Sequence, residues 1–213
     1  MRSPITTPDA MSDQDYWERH AKRYDRSTRF LSRPVPRMLE LSVGAVKGKA
    51  RVLEVAAGTG LITAAIAPVV TELVATDYAQ AMVARLETRV RELRLPNVVA
   101  QADIYELRFA DASFDAVVAA NVLHLVPDLE RAFASLRRVL RPGGLLIAPT
   151  YLHRETLGAS ILSRLFALTG FPGKRRFTRQ ALADAIEGAG FTIVRAETSA
   201  GPFPIGYAES LAR

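Results

Sequence analysis

Between residues 51 and 150 the sequence alternates short apolar runs with stretches of helical periodicity, and this alternation restricts the fold more strongly than any other feature. The apolar runs predict buried strands at 51–56, 73–76, 97–102, 114–121 and 145–150. Helices are predicted between them, because the intervening apolar residues recur at helical spacing. Strands that alternate with helices form a mostly parallel sheet, and such a sheet binds its ligand at the carboxyl ends of the strands.

Two further apolar runs, 191–197 and 203–211, complete a predicted α/β fold with a doubly wound, mostly parallel, seven-stranded sheet. The length of 213 residues allows one such domain and a cover, but not two independent enzyme domains. We therefore expect a disordered leader, an N-terminal helical cap, and a sheet domain with an insert that extends the cap. Their predicted bounds are 1–14, 15–46, 47–213 and, for the insert, 154–176.

Positive charge is in excess, since 28 Lys and Arg stand against 22 Asp and Glu and give a net charge of +6. This excess favours an anionic partner, such as a nucleic acid, an anionic membrane surface or an acidic small molecule. The sequence contains no Cys, which excludes a disulfide framework, a thiolate metal site and a cysteine nucleophile. No stretch has the length of a membrane-spanning helix, and the N-terminus lacks a signal-peptide core, so we expect a soluble or peripheral protein in the cytoplasm.

A glycine turn at residues 57–60 follows the first predicted strand. Gly58 and Gly60 match the first two glycines of the dinucleotide-binding fingerprint, but Thr63 stands where its third glycine or alanine is expected. This departure weakens the alternative of an NAD-dependent oxidoreductase. By itself the turn is equally typical of a plain tight turn without a ligand.

Polar residues lie at the ends of successive predicted strands. Glu54 lies inside the first strand just before the glycine turn, and the next three strands end at Asp77, Asp103 and Asn121. The carboxyl ends of parallel strands meet at one edge of a sheet, so these four side chains are expected to converge there.

The chain carries several motifs in this order: VLEVAAGTG, LVATDYAQAMV, AQADIYEL, FDAVVAANVLHLV and LRPGGLLI. Together they resemble the successive motifs of class I S-adenosylmethionine-dependent methyltransferases, and the resemblance extends from about Tyr16 to the end of the chain. It implies a Rossmann-like fold, S-adenosylmethionine as the cofactor, and in-line transfer of a methyl group from a sulfonium to a nucleophile. A transfer of this kind depends mainly on positioning and on exclusion of water.

The resemblance implies roles for the residues around the glycine turn. Gly58 and Gly60 would let the backbone approach the methionine part of the cofactor, with Ala56 at a position where the family usually has glycine. Glu54 would reach the amino end of the cofactor. Asp77 would accept hydrogen bonds from both ribose hydroxyls, a task that suits a carboxylate because it only accepts and can serve two donors.

The resemblance also implies an adenine site. Tyr78 and Met82 would pack on the ring, Asp103 would accept from its exocyclic amine, and the backbone of Ile104 would meet the ring edge. Asn121 would contact the cofactor as well. For both aspartates of the set, the alternative is a purely structural helix-cap or turn residue.

Histidine and tyrosine residues of the cover and of the fourth strand end are further candidates. In related enzymes an N-terminal helix folds over the cofactor as a lid, which makes Tyr16 and Tyr24 candidate pocket residues or ordinary packing residues. His124 is the best-placed general base, because its ordinary pKa lies near neutrality. Alternatively, His124 packs beside the cofactor or makes a structural hydrogen bond. His20 and His153 are weaker candidates.

Sequence signatures that the chain lacks restrict the class of acceptor. Residues 121–124 read NVLH, which is not the signature of enzymes that methylate amino groups of DNA bases or protein glutamine. No further carboxylate cluster follows the fourth strand, so we expect a metal-independent reaction. Nucleic acid is disfavoured as a partner because no strand interleaves aromatic and basic residues. The expected acceptor is a small molecule or a lipid-like molecule. The basic faces of the first predicted helix and of residues 174–176 favour contact with an anionic membrane, unless they are only solvated surface. A catalytically silent cofactor-binding interaction protein is the third alternative.

Overall fold

One mixed sheet organises the chain in the computed structural model, which describes residues 15–19, 34–95, 98–167 and 173–213. The strands are β1 (Arg51–Val55), β2 (Glu72–Asp77), β3 (Val98–Gln101), β4 (Phe114–Val118), β5 (Leu140–Ile147), β6 (Thr150–Tyr151), β7 (Phe191–Ser199) and β8 (Ile205–Ala212). The first five are mutually parallel in the order β3-β2-β1-β4-β5. β8 then pairs antiparallel with β5 on one side and with β7 on the other.

The short strand β6 lies in line with β5. Both pair with β8, β5 through Ile147 opposite Glu209 and β6 through Thr150 opposite Gly206. Because β7 occupies the other edge of β8 at the same residues, β6 continues the path of β5. The eight described strands therefore fill seven positions, and the prediction of a seven-stranded, mostly parallel sheet is confirmed.

Helices cover both faces of the sheet. They are α1 (Val35–Val46), α2 (Leu61–Ile66), α3 (Gln80–Glu92), α4 (Leu129–Val139), α5 (Leu157–Ala167) and α6 (Arg179–Gly188), and a 3₁₀ turn at Ala67–Val69 follows α2. Alternate residues of β4 enter two separate cores: Val117 packs in the core that includes α4 and α6, and Ala116 in the core that includes α1 and α2. Successive side chains of a strand point to opposite faces, so this alternation is what a doubly wound sheet requires.

Some boundaries differ from those predicted. β4 ends at Val118 instead of residue 121, and Asn121 has a φ of +52°, a backbone conformation that does not continue a strand. Within the predicted helical cap at 15–46, α1 begins at Val35, and Pro36 is tolerated in its first turn. Residues 15–19 of the cap are also helical, and residues 20–33 lie outside the described residues. The predicted leader at 1–14 lies outside the described residues.

No helix within the described ranges is both long enough and apolar enough to span a lipid bilayer.

Candidate functional site

A cavity of about 230 Å³ opens at the carboxyl ends of β1 to β4. Eight of the residues predicted for the site line it: Ala56, Gly58, Asp77, Tyr78, Met82, Asp103, Ile104 and Asn121. The other lining residues were missed by the sequence analysis: Trp17, Ala102, Tyr105, Ala120, Val122, Leu125, Val126 and Pro127. The cavity therefore forms where the strand-end residues were expected to converge.

The turn after β1 is held in a left-handed backbone conformation. Gly58 has a φ of +57° and Gly60 of +82°. A Cβ atom on Gly60 would lie 2.7 Å from Leu86 Cδ1, so a larger residue would strain the backbone and would also have to displace the Leu86 side chain. Gly60 begins α2 and does not line the cavity. Ala56 also has a positive φ, +52°, which explains why glycine is the usual residue at this position.

Asp77 connects the end of β2 to this turn. Its carboxylate is 5% exposed, accepts from the Gly58 N–H through Oδ2 at 2.9 Å, and accepts from the Ala79 N–H through Oδ1 at 3.0 Å. Burial raises the pKa of Asp77, and the hydrogen bonds from Ala79 and Gly58 oppose that rise. A carboxylate has about four acceptor positions, so each oxygen retains capacity for a ligand hydroxyl. The structural and the cofactor role of Asp77 are compatible.

Glu54 lies beneath the turn and not on the cavity wall. Its side chain is 2% exposed and accepts a hydrogen bond from Thr63 Oγ1 at 2.6 Å. Burial raises the pKa of Glu54 to about 8, although the hydrogen bonds from Thr63 act in the opposite direction. The threonine at the third position of the glycine fingerprint thus has a specific partner.

The side of the cavity predicted to hold the adenine is built from the ends of β2 and β3 and the start of α3. Met82 is buried and packs with Ala79, with Tyr78 and Trp17 against them. Asp103 is exposed at the cavity, and its Oδ1 accepts from the Tyr105 N–H at 2.9 Å. Asp103 is therefore a turn residue that is also available to a ligand.

The helical segment 15–19 reaches the cavity from outside the sheet. Trp17 lines the cavity, and the Glu18 carboxylate accepts from the Gln80 and Ala81 N–H groups at 2.7 and 2.9 Å. Glu18 thereby caps the start of α3 from a distant part of the chain. Tyr16 packs edge-on against Trp17, with ring centroids 5.1 Å apart, and does not line the cavity. Tyr24 lies outside the described residues.

His124 is buried behind the cavity wall. Its ring centroid lies 5.1 Å from that of His153 and 6.1 Å from that of Tyr151. Burial, with a contribution from His153, lowers the pKa of His124 to about 3. Burial and the charge of Arg176 lower the pKa of His153 to about 4. Both imidazoles are therefore neutral at physiological pH, and His124 is not among the described residues that line the cavity.

A doubly wound sheet with a glycine turn after β1 and a buried acid at the end of β2 defines a class of proteins that bind a nucleoside-containing cofactor. Residues 53–148 match the family model described as a methyltransferase domain. A demethylmenaquinone methyltransferase from Renibacterium salmoninarum is 36% identical over 138 residues, which cover 62% of this chain and 56% of the relative. A phosphatidylethanolamine N-methyltransferase from Cereibacter sphaeroides is 37% identical over 110 residues, covering 49% and 52%. The chain spans about half the length of these curated relatives.

Solved structures show the same fold at low sequence identity. An S-adenosylmethionine-dependent methyltransferase from Aquifex aeolicus superposes with a TM-score of 0.73 at 18% identity, over 92% of this chain and 98% of the other. The [4+2]-cyclase SpnF superposes with a TM-score of 0.74 at 18% identity, over 99% of each chain. Residues 53–148 thus match a methyltransferase domain, and the fold is shared with S-adenosylmethionine-dependent methyltransferases, which agrees with the family that the sequence motifs predicted.

The residues of the cavity fit the cofactor of this family. The buried Asp77 carboxylate faces the cavity with acceptor capacity for ribose hydroxyls, and the left-handed turn at Gly58 leaves the backbone without a side chain beside it. Met82 and Ile104 offer apolar surface for a ring. S-adenosylmethionine as the cofactor therefore agrees with both the family and the chemistry of the wall, and the NAD alternative is not favoured.

Loss of the Glu18 cap should speed cofactor release. In Glu18→Ala we expect the dissociation rate of S-adenosylmethionine to rise about 5-fold, which corresponds to roughly 1 kcal/mol for a lost cap. Trp17 is the single tryptophan of the chain, so stopped-flow tryptophan fluorescence reports on the segment directly. Arg19→Ala is the matched control, because Arg19 is exposed on the same segment. Equal dissociation rates in all three proteins would mean that the segment does not retain the cofactor.

Proposed function

We propose that this protein transfers a methyl group from S-adenosylmethionine to a small-molecule or lipid-like acceptor. The observation that carries the proposal is the buried Asp77 carboxylate, which holds the glycine turn and faces the cavity within a methyltransferase domain. The names of two relatives, a demethylmenaquinone and a phosphatidylethanolamine methyltransferase, support an acceptor of lipid character.

The proposed role of the chain is to bind and orient the cofactor and the acceptor, and to exclude water from the cavity. When bound, S-adenosylmethionine supplies the methyl group as an electrophilic sulfonium substituent. Asp77 accepts from the ribose hydroxyls, and Tyr78 and Met82 pack on the adenine. Trp17 covers the cavity, so that water is kept from the reacting atoms.

The acceptor is proposed to bind beside an aromatic cluster formed by His124, Tyr151, His153 and Phe203. Neighbouring ring centroids in this cluster lie 5.1 to 6.3 Å apart. The His153 ring is 8% exposed, and within the described residues neither of its nitrogens has a hydrogen-bond partner. Unsatisfied buried polar atoms are uncommon, so a polar group of the acceptor is a fitting partner for His153.

His124 is proposed to accept a hydrogen bond from the acceptor, because a pKa of about 3 makes its imidazole a poor proton acceptor. We expect His124→Ala to lower turnover about 10-fold, which corresponds to roughly 1.4 kcal/mol for a lost hydrogen bond, and to leave the affinity for S-adenosylmethionine unchanged. Because the pKa of His124 is about 3, the wild-type rate should show no His124 titration above about pH 5. Turnover equal to that of the wild type at every pH would remove His124 from the mechanism.

The protein is also proposed to be cytoplasmic and peripheral at the inner face of the membrane. Its net charge of +6 supports this location, because the cytoplasmic leaflet carries the anionic lipids that attract basic segments.

Calorimetry with S-adenosylmethionine, S-adenosylhomocysteine and NAD tests the proposed function. We expect binding of the first two and none of NAD, followed by methyl transfer to a quinol or an aminolipid in a panel assay. NAD binding without the others would favour an oxidoreductase. Binding of S-adenosylmethionine without transfer to any acceptor would favour a silent cofactor-binding protein or other chemistry, and the [4+2]-cyclase SpnF shows that this fold is not restricted to methyl transfer.

A further inference from the structure

Helix α5 exposes a row of large apolar side chains. Leu157, Ile161 and Leu165 follow one another at intervals of four residues and are 85%, 61% and 55% exposed. This spacing places them along one side of the helix, while Ala159 and Ser163 on the other side are buried. Single exposed apolar residues are ordinary, but a continuous row on one helix indicates a surface that is covered by something else.

The segments beside this helix are rich in basic residues. The Arg154 N–H donates to the Phe177 carbonyl at 3.1 Å, and the Arg179 N–H donates to Glu155 Oε2 at 2.8 Å, so the segments before α5 and before α6 lie side by side. Together with α5, the described parts of these segments, 152–167 and 173–179, contain six Lys or Arg residues. Glu155 is the single carboxylate within those same described parts. The surface is therefore strongly cationic as well as apolar.

The basic segment continues to the rim of the cavity. The Lys174 and Arg175 N–H groups donate to the His124 carbonyl at 2.9 and 3.0 Å. The Arg175 guanidinium donates to the Pro127 carbonyl at 2.8 Å and also bonds to the Val126 carbonyl. Val126 and Pro127 line the cavity, so the basic segment, which lies beside the start of α5, also borders the cavity wall.

We infer that this face docks on an anionic lipid bilayer. The apolar row of α5 enters the headgroup region, and the exposed side chains of Arg154, Arg164, Lys174 and Arg176 contact lipid phosphates. A second copy of the chain fits less well, because two such cationic faces repel each other. That the bilayer delivers the acceptor to the cavity rests on the proposed function, whereas the docking itself does not.

Vesicle sedimentation tests the docking. The full chain is mixed with phosphatidylcholine vesicles that contain or lack phosphatidylglycerol, at about 0.1 M and about 0.5 M salt, because screening weakens surface attraction at the higher concentration. The wild type should bind the anionic vesicles at the lower salt and much less at the higher salt or without phosphatidylglycerol. In Leu157→Gln/Ile161→Gln/Leu165→Gln the bound fraction relative to free should fall about tenfold or more.

A matched control carries Leu93→Gln and Val194→Gln, two apolar residues that are 52% and 54% exposed elsewhere on the molecule. It should bind vesicles like the wild type, and unchanged calorimetric affinity for S-adenosylmethionine in both variants would show that they are folded. Absence of wild-type binding to anionic vesicles, or equal binding by the α5 variant, would overturn the inference. So would a dimer in light scattering that the α5 variant abolishes while no protein binds vesicles. Vesicle binding by a protein that fails to bind S-adenosylmethionine would leave the docking intact and refute the proposed function instead.

Discussion

Replacing Asp77 by Ala is expected to weaken the binding of S-adenosylmethionine about 10- to 150-fold, which corresponds to roughly 1.5 to 3 kcal/mol for hydrogen bonds to a charged group. The carboxylate is buried at the cavity wall, so its hydrogen bonds to the ribose hydroxyls would be shielded from bulk water. The variant also loses the acceptor for the Gly58 N–H and thereby loosens the turn that faces the cofactor. Calorimetric titration measures the affinity directly.

Two further variants separate the contributions to this loss. Asp77→Asn keeps the shape but presents an N–H group toward one of the two backbone donors, so its affinity should also fall. Asp103→Asn is the milder comparison, because Asp103 is exposed and its carboxylate exchanges partners with water. If Asp77→Ala binds the cofactor as tightly as the wild type, the ribose role of Asp77 is wrong.

Replacing Glu54 by Gln should remove a large pH dependence of stability. The pKa of Glu54 is about 8 in the folded protein against a usual value of 4.5, so the folded chain retains a proton that the unfolded chain releases. Stability due to this group is therefore lost as pH rises from 4.5 toward 8, by a total on the order of 4 kcal/mol. Urea unfolding of both proteins between about pH 5 and about pH 8 should show Glu54→Gln gaining stability relative to the wild type as pH rises.

The quantity to compare is the difference in unfolding free energy between the two proteins at each pH. All other titrating groups are common to both, so they cancel in this difference. Parallel pH profiles would mean that Glu54 is charged in the fold. A second measurement tests its predicted contact with the cofactor. A cationic amino group beside Glu54 would lower its pKa, so binding at neutral pH should release a proton, visible as buffer-dependent enthalpy in calorimetry. Binding without proton release would place the cofactor's amino end elsewhere.

The positions of Asp77, Asp103 and Asn121 could be predicted from the sequence because each lies at or just beyond the end of a strand. Parallel strands bring these ends together whatever the details of the loops. The same reasoning predicts Glu54 at the cavity wall, but its side chain bonds to Thr63 beneath the turn. The alternation of residues in a strand predicts the face of the sheet on which a side chain lies. It does not predict which neighbouring side chain becomes its hydrogen-bond partner.

Residues outside the strand ends were harder to predict. Trp17 and Tyr16 are neighbours in the same helical segment, and periodicity alone could not tell that Trp17 lines the cavity while Tyr16 packs against it. Leu125 and Pro127 belong to the loop after β4, whose path depends on the left-handed conformation of Asn121. The link from Glu18 to the start of α3 joins residues more than 60 positions apart and has no local signal.

The hydrogen bond from the Gly58 N–H to Asp77 has a consequence for how binding is driven. It orders the turn through contacts within the chain, so the entropy lost in fixing that backbone belongs to folding and not to ligand capture. A ligand that enters such a preorganised cradle should bind with little change in local backbone motion, and its affinity should depend mainly on desolvation and on closure of the segment at Trp17. Amide hydrogen exchange at Gly58 should accordingly be slow before any ligand is added.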